Sequence, residues 1–212
     1  MVIANNRFDS NTTNRAIAVP GNDIEILLTP DQYRRIEETG QERHEYADGR
    51  IMIMPGGSEV HSRITVDITT FLNLALRDSS FETYNSDLRI WLPSLNHGTY
   101  ADIFVIDGSP EFSPNRRDEV LNPLLIIEVL SPSTEKYDRG DKFRKYRSLP
   151  SFIEYVLVAQ DEPYVELYYK QHGEKNNLWQ LEIYDQIEQS VIFHSINVEV
   201  PIREIYRRTK FS

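Results

Sequence analysis

The sequence predicts an α/β protein: a single domain with a central mixed β-sheet flanked by helices. Three observations lead there. Short apolar runs rich in Ile, Val, Leu and Tyr recur between residues 82 and 193, separated by turn residues, as strands do. Three other stretches carry helix signals, two ahead of those strands and one among them. The chain has 212 residues, 40% of them hydrophobic, with neither an internal repeat nor a long Gly/Ser linker, so one sizeable core can form.

The elements follow in order. Residues 1–22, rich in Asn, Thr and Ser, read as a flexible tail, and the domain runs from 23 to 212. Thr29 to Gly40 reads as a short helix, with Thr29 as cap, Pro30 in the first turn and Gly40 at the end. Asp48-Gly49 is a hairpin signal between two short strands. Gly57 and Ser58 open a second helix reaching Asp78, in which Ile64, Ile68, Phe71, Leu72 and Leu76 recur at helical spacing. Strands are expected near Glu82–Tyr84, Leu88–Leu92, Tyr100–Asp107 and Leu124–Leu130. A third helix is expected from Tyr137 to Ser148. Strands then return near Ile153–Val158, Tyr164–Lys170, Leu178–Tyr184 and Ser190–Phe193. The basic, amphipathic end, PIREIYRRTKFS, reads as a terminal helix or strand.

Composition narrows the function classes. Lys+Arg minus Asp+Glu is 23 − 33 = −10, so a non-specific coat for nucleic acid is not expected, although a local basic patch is compatible with it. Without cysteine there is no disulfide and no thiolate metal site, which fits a cytoplasmic protein. No run of about 18 apolar residues exists, so no membrane partner is expected.

Two strands carry an acid where an apolar residue would fit better: Asp102 in YADIFVID and Glu128 in LLIIEVL. If the two strands pair antiparallel with Asp107 opposite Pro123, their indices sum to 230, and Asp102 then opposes Glu128. Opposed residues share a face, with Cβ atoms about 5 Å apart. Phe104 then faces Ile126, and Ile106 faces Leu124. Two carboxylates so placed repel unless a shared proton or a cation neutralises them. Hard oxygen ligands suit Mg²⁺ or Mn²⁺. The bland reading is a capping or salt-bridged acid at a strand end.

The helical segment after Glu128 is basic. From Ser131 to Ser148 it holds Lys136, Arg139, Lys142, Arg144, Lys145 and Arg147 against Glu135, Asp138 and Asp141, a net +3 in a chain of −10. Asp138 and Lys142 stand four apart on one face, and Tyr146 continues it.

Taken together, GRIMIMPGGSEVHSRI, YADIFVID, LLIIEVLSPST and YDRGDKFRKYRSLPSFIEYVLV resemble the Uma-two-type family of predicted restriction endonucleases, abundant in cyanobacteria. The resemblance covers about Pro30 to Asp185 and places the chain in the PD-(D/E)XK nuclease superfamily. It implies a restriction-endonuclease-like fold and Mg²⁺- or Mn²⁺-dependent hydrolysis of phosphodiester bonds in DNA. It also implies Asp102 and Glu128 as metal ligands and catalytic acids. Ala101 stands where the motif has proline, and Leu130 where it has lysine. Lys142 is the candidate to supply that ammonium from the helix. Removing it is expected to abolish cleavage and leave folding nearly intact. Arg139, Arg144 and Lys145 are candidate phosphate contacts.

Two further residues form a second tier. His61, near the start of the second helix, is a capping or surface residue, or a group touching phosphate, water or metal. Glu45, before the Asp48-Gly49 turn, is an exposed strand acid or an added member of the acid cluster. Asp87, His44 and His97 have no partner nameable from sequence. Enzymes of this type act as symmetric dimers, so a homodimer is the expected assembly. The competing readings are a catalytically silent protein of the same fold that only binds, and a different phosphate-ester hydrolase.

Overall fold

The computed structural model describes residues 15–18, 24–171 and 178–211. Most of the predicted tail lies outside the described residues. β1 (Arg15–Ala18), inside that tail, pairs antiparallel with β2 (Ile24–Leu27), just beyond it, a ribbon not expected from the sequence. The chain divides into two compact units, Met1–Met54 and Pro55–Ser212.

In the smaller unit, α1 (Pro30–Thr39) begins at Thr29 as predicted. The Thr29 hydroxyl accepts from the Gln32 amide and the Gln32 side chain accepts from Thr29, which satisfies two otherwise orphaned donors. Strands β3 (His44–Ala47) and β4 (Arg50–Ile53) form the expected hairpin. Asp48 and Gly49 both adopt positive φ, 45° and 102°, as a tight two-residue turn with right-handed twist requires. Tyr33 and Tyr46 stack with ring centroids 4.9 Å apart, and the Tyr33 hydroxyl donates to the His44 carbonyl. His44 itself pairs with Glu37 at 2.8 Å.

The larger unit opens with α2 (Glu59–Ala75), capped by Ser58. Strands β5 (Phe81–Asn85), β6 (Arg89–Leu92), β7 (His97–Thr99), β8 (Ile103–Asp107), β9 (Glu119–Val120) and β10 (Leu125–Val129) follow. A helical stretch over 135–146 comprises α3 (Glu135–Tyr137), a π-helical turn (Asp138–Lys142) and α4 (Phe143–Tyr146). Then come β11 (Glu154–Val158), β12 (Val165–Lys170), β13 (Trp179–Tyr184), β14 (Ser190–Phe193), β15 (Val198–Pro201) and α5 (Ile202–Ile205).

A six-stranded sheet in the order β13-β12-β11-β10-β8-β5 forms the centre. Only β10–β11 is parallel among its pairs, so the sheet is mixed as predicted. Alternate residues of a strand face opposite sides, and here both sides are covered. Ile103, Val105, Leu125, Ile127, Val156 and Val158 pack against Ile64, Ile68 and Leu72 of α2 and against the β14–β15–α5 segment. Phe104, Ile106, Ile126 and Leu157 face Tyr146, Leu149 and Phe152 on the other side. Trp179 packs against Phe143 and Phe152 there.

Two details differ from the expectation. The run from Tyr100 to Asp107 is strand only from Ile103, because His97–Thr99 already pairs with β6. The long loop after β8 contains the short β9, which runs parallel to β6.

Candidate active site

The β8–β10 register is the one derived from the index sum: Val105 opposes Leu125, Phe104 opposes Ile126 and Ile103 opposes Ile127. The ladder stops one step before Asp102 and Glu128. At that step Asp102 substitutes its side chain for backbone. Its Oδ2 accepts the Val129 amide at 2.8 Å, and its own amide lies 3.4 Å from Glu128 Oε2. The two acids therefore meet at the open end of the β8–β10 pair.

Each acid has a different escort. Glu128 faces the helical stretch, only 2% exposed. Its Oε1 lies 2.9 Å from Lys142 Nζ and accepts the Tyr146 hydroxyl at 3.0 Å. Lys142 also lies 3.4 Å from Asp138. These are the residues placed on one helical face from their spacing, and the π-helical turn carries both Asp138 and Lys142. The turn is fixed from the sheet side, where the Tyr155 hydroxyl on β11 donates to the Asp138 carbonyl at 3.0 Å. Asp102 faces α2, where His61 Nε2 lies 3.0 Å from its Oδ2.

The electrostatics follow from burial and charge. Burial pushes the Glu128 carboxyl well above the usual range; Lys142 opposes that, and Asp102 and Asp138 add to it. Asp138 is raised by burial for the same reason and restrained by Lys142. For His61, burial works against the charged form, but the hydrogen bond and charge of Asp102 outweigh it, and the imidazole is raised.

Lys142 is 5% exposed, which changes one expectation. Removing an ammonium buried between two buried carboxylates takes the counter-charge from both acids, so a cost in stability at neutral pH is expected alongside any loss of cleavage.

The second-tier and phosphate-contact residues fall out as follows. His61 joins the cluster. Glu45 belongs to the smaller unit, on β3, buried and opposite Met52. Arg139 pairs with Glu135 and Glu166, Arg144 with Asp141, and the Lys145 ammonium donates to the Tyr137 hydroxyl. Sequence reasoning missed Tyr155 and Gln160. The Gln160 amide donates to the Leu130 carbonyl and its oxygen accepts the Ser58 hydroxyl, each at 2.6 Å, joining the end of β10 to the α2 cap. Nothing in the local pattern of either residue signals that role. Leu130, at the position where lysine was sought, is buried among apolar residues.

Asp102 and Glu128 are the groups here able to hold a cation. Among the described residues no three His, Cys, Asp or Glu side chains are grouped to hold one. Two carboxylates without a complete cage are nevertheless the donor set from which Mg²⁺ sites are built, the rest being water and substrate phosphate. The residues present thus fit such an ion.

A mixed sheet with helices on both faces and an acid pair at the end of adjacent strands defines a restriction-endonuclease-like protein. More specifically, residues 30–201 match the Uma2 family, described as "Putative restriction endonuclease", and the chain belongs to it. It is 36% identical over 184 residues to "Uncharacterized protein slr1290" of Synechocystis sp., covering 87% of this chain and 94% of that one. It is 37% identical over 144 residues to "Uncharacterized protein sll1609" of the same organism, covering 68% and 81%. Its fold is similar to the crystal structure of a "putative nuclease belonging to DUF820" from Anabaena variabilis. That match has a TM-score of 0.68 at 21% identity and covers 85% of this chain and 98% of the other. Among the described residues, no helix is long and apolar enough to cross a membrane.

Proposed function

We propose that this protein is a metal-dependent endonuclease that hydrolyses phosphodiester bonds in DNA, with Asp102 and Glu128 as ligands of Mg²⁺ or Mn²⁺. The observation that carries the reading is the 2.9 Å approach of Lys142 Nζ to Glu128 Oε1. It supports an ammonium delivered beside the acid pair from a helix, although the strand position two residues on is Leu130. Family membership supports the same reading. A bound cation would supply a water of lowered pKa and would stabilise charge on the scissile phosphate.

The chain's own residues have distinct tasks in this reading. Glu128 and Asp102 present oxygen donors from two adjacent strand ends. Lys142 holds Glu128 in place and offers positive charge where negative charge develops. His61 orients the Asp102 carboxylate through its 3.0 Å contact. Symmetric cutting of a duplex calls for a two-fold homodimer.

The test is cleavage of supercoiled plasmid with Mg²⁺ and with Mn²⁺, against a chelator control and Glu128→Ala. Nicking that needs the cation and vanishes in the variant is the expected result. Cleavage in chelator, or undiminished cleavage by Glu128→Ala, overturns it. A second reading, a silent member that only binds, is favoured by the engagement of Lys142 with two carboxylates at once. No cleavage together with no Glu128-dependent uptake of Mn²⁺ in calorimetry selects that reading.

A further inference from the structure

Most cations of the helical stretch are engaged: Lys142 by Glu128 and Asp138, Arg139 by Glu135 and Glu166, Arg144 by Asp141 and Lys145 by the Tyr137 hydroxyl, so a duplex needs further phosphate contacts. The C-terminal segment is a second basic run. Residues 202–211 hold four cations, Arg203, Arg207, Arg208 and Lys210, against the single acid Glu204, in a chain whose net charge is −10. Ile202, Ile205 and Tyr206 are buried, which turns Arg203, Arg207 and Lys210 to solvent. Among the described residues none of these three has an ion-pair partner.

Three contacts place this segment near the acid pair. The Tyr206 hydroxyl donates to the carbonyls of Ala159, at 3.0 Å, and Tyr164, at 3.1 Å. Ala159 directly precedes Gln160, which bridges the Leu130 carbonyl and the Ser58 cap of the helix that carries His61. Arg208 pairs with Asp67 on that same helix. Asp67 lies six residues beyond His61, about 9 Å along the axis at 1.5 Å per residue. That distance is within about three base-pair steps of a duplex, whose rise along its axis is about 3.4 Å per phosphate of each strand.

We infer that 203–210 is a docking strip for the phosphate backbone of duplex DNA, holding the strand beside the Asp102–Glu128 pair. The inference rests on the nuclease reading of that pair. Its recognition is charge only, so it positions the duplex without selecting its sequence.

The experiment measures binding of a fluorescently labelled random-sequence duplex by anisotropy, from 50 to 300 mM salt, with Ca²⁺ replacing Mg²⁺. Wild type, Arg207→Ala/Lys210→Ala and Arg77→Glu are compared. Both variants change net charge by two, but Arg77 lies just past the far end of α2, whose last residue, Ala75, is about 21 Å from His61 along the axis. The strip variant is expected to bind more weakly, with a log–log salt slope shallower by about 1.8, or 0.9 per lost phosphate contact. Arg77→Glu is expected to keep the wild-type slope. Equal slopes for wild type and strip variant overturn the strip. If plasmid cleavage persists in that case, the nuclease reading survives it. A wild type that neither binds duplex nor cleaves plasmid overturns both.

Discussion

Replacing Lys142 with methionine tests the electrostatic design of the site directly. The change keeps the length of the side chain and removes its charge. Two buried carboxylates lose their counter-ion, Glu128 at 2.9 Å and Asp138 at 3.4 Å. At an effective dielectric constant of about 20 these attractions are roughly 6 and 5 kcal/mol before opposing desolvation. Breaking a buried pair by removing one partner costs about 3–5 kcal/mol, the relevant net figure. Glu128 has a way to reduce that loss, because it can take up a proton. Its folded pKa is already raised above 4.5 by burial, so the folded state binds that proton more tightly than the unfolded chain does. Protonation therefore favours the folded state at low pH, and this contribution is lost as pH rises through the folded pKa. Loss of Lys142 raises the pKa further. The penalty in Lys142→Met is thus expected to be small near pH 5 and to reach about 3 kcal/mol or more at pH 8. Urea unfolding followed by circular dichroism at pH 5, 6, 7 and 8 measures it. Lys142→Met/Glu128→Gln, with a neutral amide in place of the acid, should recover part of the loss at pH 8. A penalty below about 1 kcal/mol at pH 8, or one that does not change with pH, refutes the claim that Lys142 neutralises this pair.

Two other outcomes follow from local geometry. Tyr155→Phe removes a buried donor to the Asp138 carbonyl and should lower stability by about 1 kcal/mol in the same urea assay. It should also weaken Mn²⁺ binding measured by calorimetry, because the turn bearing Asp138 and Lys142 is less firmly held. Gly49→Ala should lower the unfolding midpoint by the equivalent of about 1–3 kcal/mol, because alanine at φ 102° is strained. A Cβ there would also stand 2.8 Å from that of Leu27.

Much of the site was legible because its signals are local or periodic. Acids in apolar runs mark themselves, and a strand pair with strict alternation admits few registers. The index sum of 230 survived because Phe104, Ile106 and Ile126 all had to reach one buried face. The i, i+4 spacing of Asp138, Lys142 and Tyr146 survived for the same kind of reason, since helical geometry fixes which side chains are neighbours. Arg139, Arg144 and Lys145 were harder. A basic run looks alike whether its charges face water or nearby acids, and the partner of Arg139 on β12, Glu166, lies 27 residues away.

The sequence by itself determined the α/β class, the caps of α1 and α2 and the Asp48-Gly49 turn, and fixed the β8–β10 register once their pairing was assumed. These depend on backbone preference, capping chemistry and hydrophobic alternation, which act over a few residues. Tertiary structure decided the rest. Asp102 left the ladder because its carboxylate took the Val129 amide. His61 met Asp102 across 41 residues, and Gln160 joined β10 to the α2 cap. Lys142 became a buried counter-ion, because the sheet closed over one side of the helical stretch and left its ammonium facing two carboxylates instead of water. Burial and long-range approach are properties of the packed chain, and they set the pKa of Glu128 and the chemistry open to it.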